Sequence, residues 1–229
     1  MQETTAILIF GNTAAREAAV KDFTLGGGQH RNQQIADRLI RKTLATAHQS
    51  GLPVLTCMGN QQRGSSFGER LANAIEGVYA LGYEQVIAIG TDSPELNAAQ
   101  LTQTQELLQQ YPAVYGPATD GGVYLIGLRA DTYERDHFLK LAWQGEQLQA
   151  SIAQAHKQAV VWLGEACDID SAEDLYAYLT NHNGTWEAQL LSILYSSLVH
   201  LTHYLDTPPT ADYTVSHQLR GPPPVAYAT

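Results

Sequence analysis

Four short stretches of this chain combine carboxylates, glycines and basic side chains in patterns that suit phosphate and metal chemistry. In Val86-Ile87-Ala88-Ile89-Gly90-Thr91-Asp92-Ser93-Pro94, Asp92 falls just past an apolar run of strand character. A carboxylate at such a place can hold Mg²⁺ or Mn²⁺ through one or two oxygens, with phosphates and water as the remaining ligands. The same stretch also reads as a helix start, with Ser93 as N-cap, Pro94 at the first helical position and Glu95 in the first turn. That reading leaves Asp92 free. In Gly116-Pro117-Ala118-Thr119-Asp120-Gly121-Gly122, the paired glycines let the backbone approach a sugar or phosphate closely. Asp-Gly turn chemistry accounts for the same residues. In Asp168-Ile169-Asp170-Ser171-Ala172-Glu173-Asp174, the first and third residues share a face of an extended segment, which suits joint ligation of one metal. Asp170 or Ser171 can instead cap a helix, with Glu173 or Asp174 closing a capping box. The fourth stretch, Gln62-Arg63-Gly64-Ser65-Ser66-Phe67-Gly68-Glu69-Arg70, is a glycine-punctuated loop opening a helix. Arg63 and the N–H groups around Gly64 can meet an anion there, against the plainer reading of a cap with Glu69 and Arg70 solvated.

The elements that must position these residues follow from hydrophobic patterning. Continuous apolar runs predict buried strands at Thr5–Phe10, Val54–Met58, Val86–Ile89, Ala113–Tyr115, Val123–Leu128 and Ala159–Leu163. Helical spacing predicts helices over Asn32–His48, Phe67–Leu81, Leu96–Gln110, Asp131–Leu141, Gln147–Ala155 and Ala172–Leu179. Strands alternating with helices imply βαβ units and a mainly parallel sheet, with ligands beyond the carboxyl ends of its strands. Past Gly184 the texture changes. Trp186–Leu205 carries a leucine stripe that predicts one amphipathic helix, packed on the domain or on a second copy. From Thr207 the chain is proline-rich and reads as extended. The domain reading is therefore residues 1–182, a helix over 183–206 and a tail over 207–229.

Composition narrows the partners. The 229 residues carry 23 acidic against 13 basic side chains, a formal net charge of −10, which sets nucleic acid aside as a partner. Cys57 and Cys167 are too few and too far apart for a zinc site or a disulfide framework, so they read as reduced thiols. With no signal-peptide pattern and no apolar run approaching the roughly 20 residues of a membrane span, the expected location is the cytoplasm. Gly26-Gly27-Gly28 fits neither a P-loop nor a dinucleotide fingerprint.

Taken together in this order, QRGSSFGERLANAI (Gln62–Ile75), GYEQVIAIGTDSPEL (Gly82–Leu96), GPATDGGVYLIGL (Gly116–Leu128) and DIDSAEDL (Asp168–Leu175) resemble one family. It is the small GT-A-like radical-SAM/selenodomain-associated transferases, a domain of unknown function classed with nucleotide-diphospho-sugar transferases. The resemblance spans about Thr5 to Leu179. It implies a GT-A-like α/β fold with an added C-terminal helix, and Asp92 in the place of the metal-binding aspartate. It makes Asp170 the second ligand and Asp168 its neighbour, with Asp120 on the acceptor side as catalytic base. A departure lies after the first strand, where many members carry Lys-Thr-Arg-Leu and this chain reads Gly11-Asn12-Thr13-Ala14-Ala15-Arg16-Glu17-Ala18-Ala19-Val20-Lys21. Arg16 and Lys21 are the substitutes for phosphate contact, joined by Arg63, Gly64, Gly121 and Gly122. The Trp-Ser-Thr signature is reduced to Trp143-Gln144-Gly145, with Trp143 either stacked on a ligand or packed in the core. The implied activity is a Mg²⁺- or Mn²⁺-dependent glycosyltransferase using a nucleotide-sugar donor. Two rivals stand beside it: a nucleotidyltransferase of the same fold releasing pyrophosphate, and an inactive nucleotide-binding or scaffold protein. The C-terminal helix offers a face for a homodimer.

Overall fold

Thr5–Gly11 forms the first strand, β1, because Thr5 to Phe10 are buried on both faces and only a sheet covered by helices on both sides can use such a run. Its neighbours are β2 (Val54–Met58) and β3 (Gln85–Ile89), both parallel to it, with Ile7 opposite Val54 and Ile87. β4 (Ala113–Pro117), β5 (Val123–Arg129) and β6 (Val160–Trp162) complete a six-stranded sheet in the order β2-β1-β3-β5-β4-β6. Only β5 runs against the rest, pairing antiparallel with both β3 and β4. The β4–β5 connection covers only residues 118–122, too short for a crossover, so the chain has to return antiparallel. In this computed structural model the described residues are 4–145, 147–156 and 160–206, with side chains described to residue 195.

Alternate residues of the strands feed opposite layers. Ala6, Leu8 and Phe10 pack with Leu71 and Ile75 of α3 (Phe67–Ala80), Phe138 of α5 (Arg135–Leu139) and Ile152 of α6 (Leu148–Ala155). Ile7, Ile9, Ile87 and Ile89 face the other way, onto Ala47 of α2 (Gln29–Gln49) and Leu101 and Leu108 of α4 (Ala98–Leu108). Each of the Leu, Ile and Phe side chains taken fully from water contributes about 1.5–3 kcal/mol, which fixes the strand registers. A third cluster joins Phe23, Ile35 and Leu39 to Leu175 and Tyr178 of α7 (Ala172–Asn181) and to Leu190 and Leu194 of α8 (Thr185–Asp206). Residues Met1–Leu194 form one compact unit, so the first turns of α8 belong with the sheet domain. The second unit, Tyr195–Thr229, contributes the remainder of α8, and the expected tail over 207–229 lies outside the described residues.

Three local expectations are corrected. A seven-residue helix, α1 (Ala14–Val20), occupies the stretch after β1 that carries no helical apolar pattern. Its buried positions are Glu17 and Ala18, so no apolar stripe announces it. The helix after β3 does not start at Ser93. Asn97 caps α4 and Gln100 returns the bond to complete a capping box, so Ser93 and Pro94 stay in a buried loop. The segment from Asp131 yields only the short α5.

Candidate functional site

Because β1, β3, β4 and β6 run in one direction, their carboxyl ends share an edge of the sheet. The loops leaving them converge there around a cleft of about 440 Å³. This is the crevice in which open α/β sheets hold ligands. Asp92 arrives from β3, Asp120 and Gly122 from β4, Asp168 and Asp170 from β6, and Lys21 from the end of α1; all six line the cleft.

Each carboxylate is placed by its own backbone. The Asp92 carbonyl accepts from Ile169 N–H at 2.9 Å, which stitches the β3 loop to the β6 loop and brings Asp168 and Asp170 alongside. Ser93, released from any capping role, donates its hydroxyl to Asp168 Oδ1. Ser171 caps α7 and Asp174 closes the box, so the capping role expected near Asp170 falls on its neighbour. Asp120 Oδ1 accepts Gly122 N–H at 2.7 Å, an Asx turn made feasible by Gly121 at φ 92°. The loop is held from outside by Gln149, which donates to the carbonyls of Ala118 and Gly122.

Lys21 is the centre of the arrangement. Its Nζ lies 2.6 Å from Asp170 Oδ1, 2.8 Å from Asp92 Oδ2 and 3.3 Å from Glu17 Oε2. Glu17 sits one helical turn earlier on α1, is 9% exposed, and its other oxygen accepts from Asn12. The Lys21 carbonyl accepts from Asn32, which also takes Phe23 N–H, and Phe23 is anchored in the core at 1% exposure. Burial opposes the charge on Lys21, but Asp92, Asp170 and Glu17 outweigh it and the ammonium is held firmly protonated. The carboxyl of Asp168 is pushed up to about 7, first by burial and then by the charge of Asp92. Burial also raises Asp170, against the pull of Lys21. The free thiols Cys57 and Cys167 are both pushed up by burial, Cys167 to about 12, and stay protonated.

The remaining wall is partly apolar. Trp143 packs on Phe67 and Phe138, donates its indole N–H to the Phe138 carbonyl, and fills the space a Gly68 side chain would need. Its ring is thus a fixed part of the wall that also lines the cleft, combining both sequence readings. Arg70 lines the cleft from α3, half-buried, with no side-chain partner among the described residues. Sequence reasoning passed it over as solvated. The signal that could have found it is its place one turn inside α3, beside Leu71 of the core face. Arg16, Arg63, Gly64 and Gly121 do not line the cleft. Arg16 lies on the exposed face of α1, and the Arg63 carbonyl is tied to Asn73. Gly64, at φ 139°, instead lies against the backbone of Glu69 and Arg70.

As a test for a divalent cation, the donor set is informative. Among the described residues no three His, Cys, Asp or Glu side chains form a closed metal cage. Asp92 and Asp170, however, already point oxygens at one shared cation. A pair of carboxylates completed by phosphate and water is what Mg²⁺ uses in nucleotide sites, so the residues fit such an ion.

The sheet order and its covering helices give the mostly parallel α/β fold also seen in nucleotide-diphospho-sugar transferases. The chain belongs to the family described as uncharacterized protein conserved in bacteria (DUF2064), which matches residues 29–145. A solved structure from Desulfovibrio desulfuricans G20, provisionally assigned as a nucleotide-diphospho-sugar transferase, superposes with a TM-score of 0.74 at 22% identity. The match covers 89% of this chain and 99% of that one. Rv0371c from Mycobacterium tuberculosis H37Rv is similar at a TM-score of 0.50 and 14% identity, over 80% of this chain and 100% of its own. No curated protein sequence matches the chain. Among the described residues no helix is long and apolar enough to cross a membrane.

Proposed function

We propose that this chain is a metal-dependent glycosyltransferase of GT-A type that binds a nucleotide-diphospho-sugar in the cleft, akin to the radical-SAM/selenodomain-associated transferases. The observation that carries the reading is the meeting of Asp92, Asp120, Asp168 and Asp170, from three separate strand-end loops, in one cleft, with Asp92 and Asp170 on one shared cation. The cleft holds five carboxylates, counting Glu17, against Lys21 and Arg70. A diphosphate approaching that floor is repelled unless cations accompany it. Asp92 and Asp170, with Asp168 beside them, would hold Mg²⁺ or Mn²⁺, which would supply charge neutralisation for a departing nucleoside diphosphate.

The chain's own groups do the rest. Lys21 and Arg70 bind phosphate oxygens. Phe67 and Trp143 give an apolar wall for the base or sugar. Asp120, with one oxygen committed to its own turn and the other unpartnered among the described residues, takes the proton of the acceptor hydroxyl. The site belongs to a transferase domain whose core elements lie within residues 1–182, with the first turns of the C-terminal helix packed on it and the cytoplasm as its location.

A thermal-shift panel of nucleoside diphosphates and nucleotide sugars, with and without Mn²⁺, tests this. A ligand at about 100 times its dissociation constant should stabilise by roughly 2.7 kcal/mol. Asp92→Ala should abolish the metal-dependent part of that shift, and an unchanged affinity removes Asp92 from the site. Release of pyrophosphate from a nucleoside triphosphate would assign nucleotidyl transfer instead. Silence across the whole panel would favour the scaffold reading.

A further inference from the structure

Asp92 and Asp170 each turn one carboxylate oxygen onto the same ammonium, at 2.8 and 2.6 Å. The ammonium belongs to the chain itself. Lys21 ends α1, its carbonyl is pinned by Asn32, and only 17% of its side chain is exposed. A divalent ion ligated by these carboxylates sits about 2.0–2.1 Å from oxygen. A dication and an ammonium pressed onto the same two carboxylates repel each other strongly in a half-buried setting. One must leave.

Lys21 has somewhere to go. Its side chain is long and flexible, and it opens into the same cleft as Arg70. A phosphate group brought in with the metal offers the displaced ammonium a partner of the same sign as the one it loses. The cost of breaking the Asp92–Lys21–Asp170 bridge is then recovered only when metal and phosphate arrive together.

We propose that Lys21 is the resident counter-ion of this site, displaced by the divalent cation and transferred to the nucleotide's phosphate, so that metal and nucleotide bind with positive coupling. The coupling half rests on the phosphate-binding reading given above; the displacement half does not. By linkage, whatever factor the nucleotide adds to metal affinity, the metal adds to nucleotide affinity.

The test measures free Mn²⁺ by electron paramagnetic resonance on the full chain, first without nucleotide. Lys21→Met, which keeps the length and removes the charge, should bind Mn²⁺ more tightly than wild type by about tenfold or more, within the usual range of coupling between sites. Lys21→Arg, which keeps the charge, should stay as weak as wild type. Adding a nucleoside diphosphate should raise Mn²⁺ affinity in wild type by a larger factor than in Lys21→Met. Mn²⁺ should also raise the melting temperature of Lys21→Met more than that of wild type, a readout that survives a loss of stability in the variant. Equal or weaker Mn²⁺ binding by Lys21→Met overturns displacement, even if wild type binds nucleotide with Mn²⁺ and the functional reading stands. Tighter Mn²⁺ binding by Lys21→Met with no effect of nucleotide on either protein keeps displacement, and overturns both the coupling and the phosphate-binding reading.

Discussion

Asp168→Asn exchanges a buried carboxyl for an amide of nearly the same volume, and its effect on stability should depend on pH in one direction. The Asp168 carboxyl moves from an ordinary 3.8 to about 7 in the folded protein, chiefly through burial and secondly through Asp92, with the Ser93 hydrogen bond pulling partly back. An acid raised in this way binds more protons folded than unfolded. Its contribution is therefore fully present below the unfolded value and is lost as pH rises through the folded one. The whole shift, at about 1.36 kcal/mol per unit, sets a ceiling of about 4 kcal/mol. Between about pH 5 and pH 8 some two units of it fall, and residual solvent contact reduces the effect to roughly 2 kcal/mol. Urea denaturation with chelator present, read as wild type minus variant at each pH, isolates the term. His156 is depressed by burial and contributes with the opposite sign below its ordinary 6.5, but it is common to both proteins and cancels. Wild type should lose about 2 kcal/mol relative to Asp168→Asn across that window. A flat difference, or a gain for wild type with rising pH, would refute the claim that Asp168 is desolvated beside Asp92.

Two further expectations concern packing and assembly. Gly116→Ala would set its methyl 2.4 Å from Cζ of Tyr124, whose hydroxyl is fixed to the Gly164 carbonyl, so the ring cannot slide away. A loss of about 1–3 kcal/mol in chemical denaturation is expected, and a neutral result would show the ring to be mobile. Pairing of two copies through α8 would appear in sedimentation equilibrium as a concentration-dependent dimer. Deletion from Tyr195 onward should remove that dimer, and an unaltered association would place the interface elsewhere.

The sheet was legible because its strands are buried on both faces. Ile7, Ile9, Ile87 and Ile89 on one side and Leu8 and Phe10 on the other leave no periodicity except that of a covered strand. The convergence of Asp92, Asp120, Asp168 and Asp170 in one cleft follows from the same fact, since parallel strands deliver their ends to one edge. The antiparallel course of β5 was not read from the sequence, although the brevity of residues 118–122 requires it. What escaped was decided by polar contacts that carry no period. α1 was invisible because Glu17, a carboxylate, is one of its two buried residues. Ser93-Pro94 imitates a helix start, yet Asn97 and Gln100 form the better reciprocal cap and win. Arg16 and Lys21 were equivalent in sequence. They separate only because Arg16 falls on the solvent side of α1, whereas Lys21 leaves its end toward the β3 and β6 loops.

The balance of charge in the cleft ties these elements to its chemistry. A chain of net charge −10 that also gathers Glu17, Asp92, Asp120, Asp168 and Asp170 in one cleft is poorly disposed toward a bare polyanion. Folding meets this repulsion locally in two ways: Lys21 bridges Asp92 and Asp170, and Asp168 holds its proton to about pH 7. Both devices are reversible in the presence of a stronger cation. A divalent ion lowers the proton affinity of nearby carboxylates, and it competes with an ammonium for the same oxygens. On the proposed reading, the cleft would select an anion that arrives with metal over one that arrives without it. On that reading, the same carboxylates that Lys21 bridges in the folded chain would make the site responsive to a divalent ion.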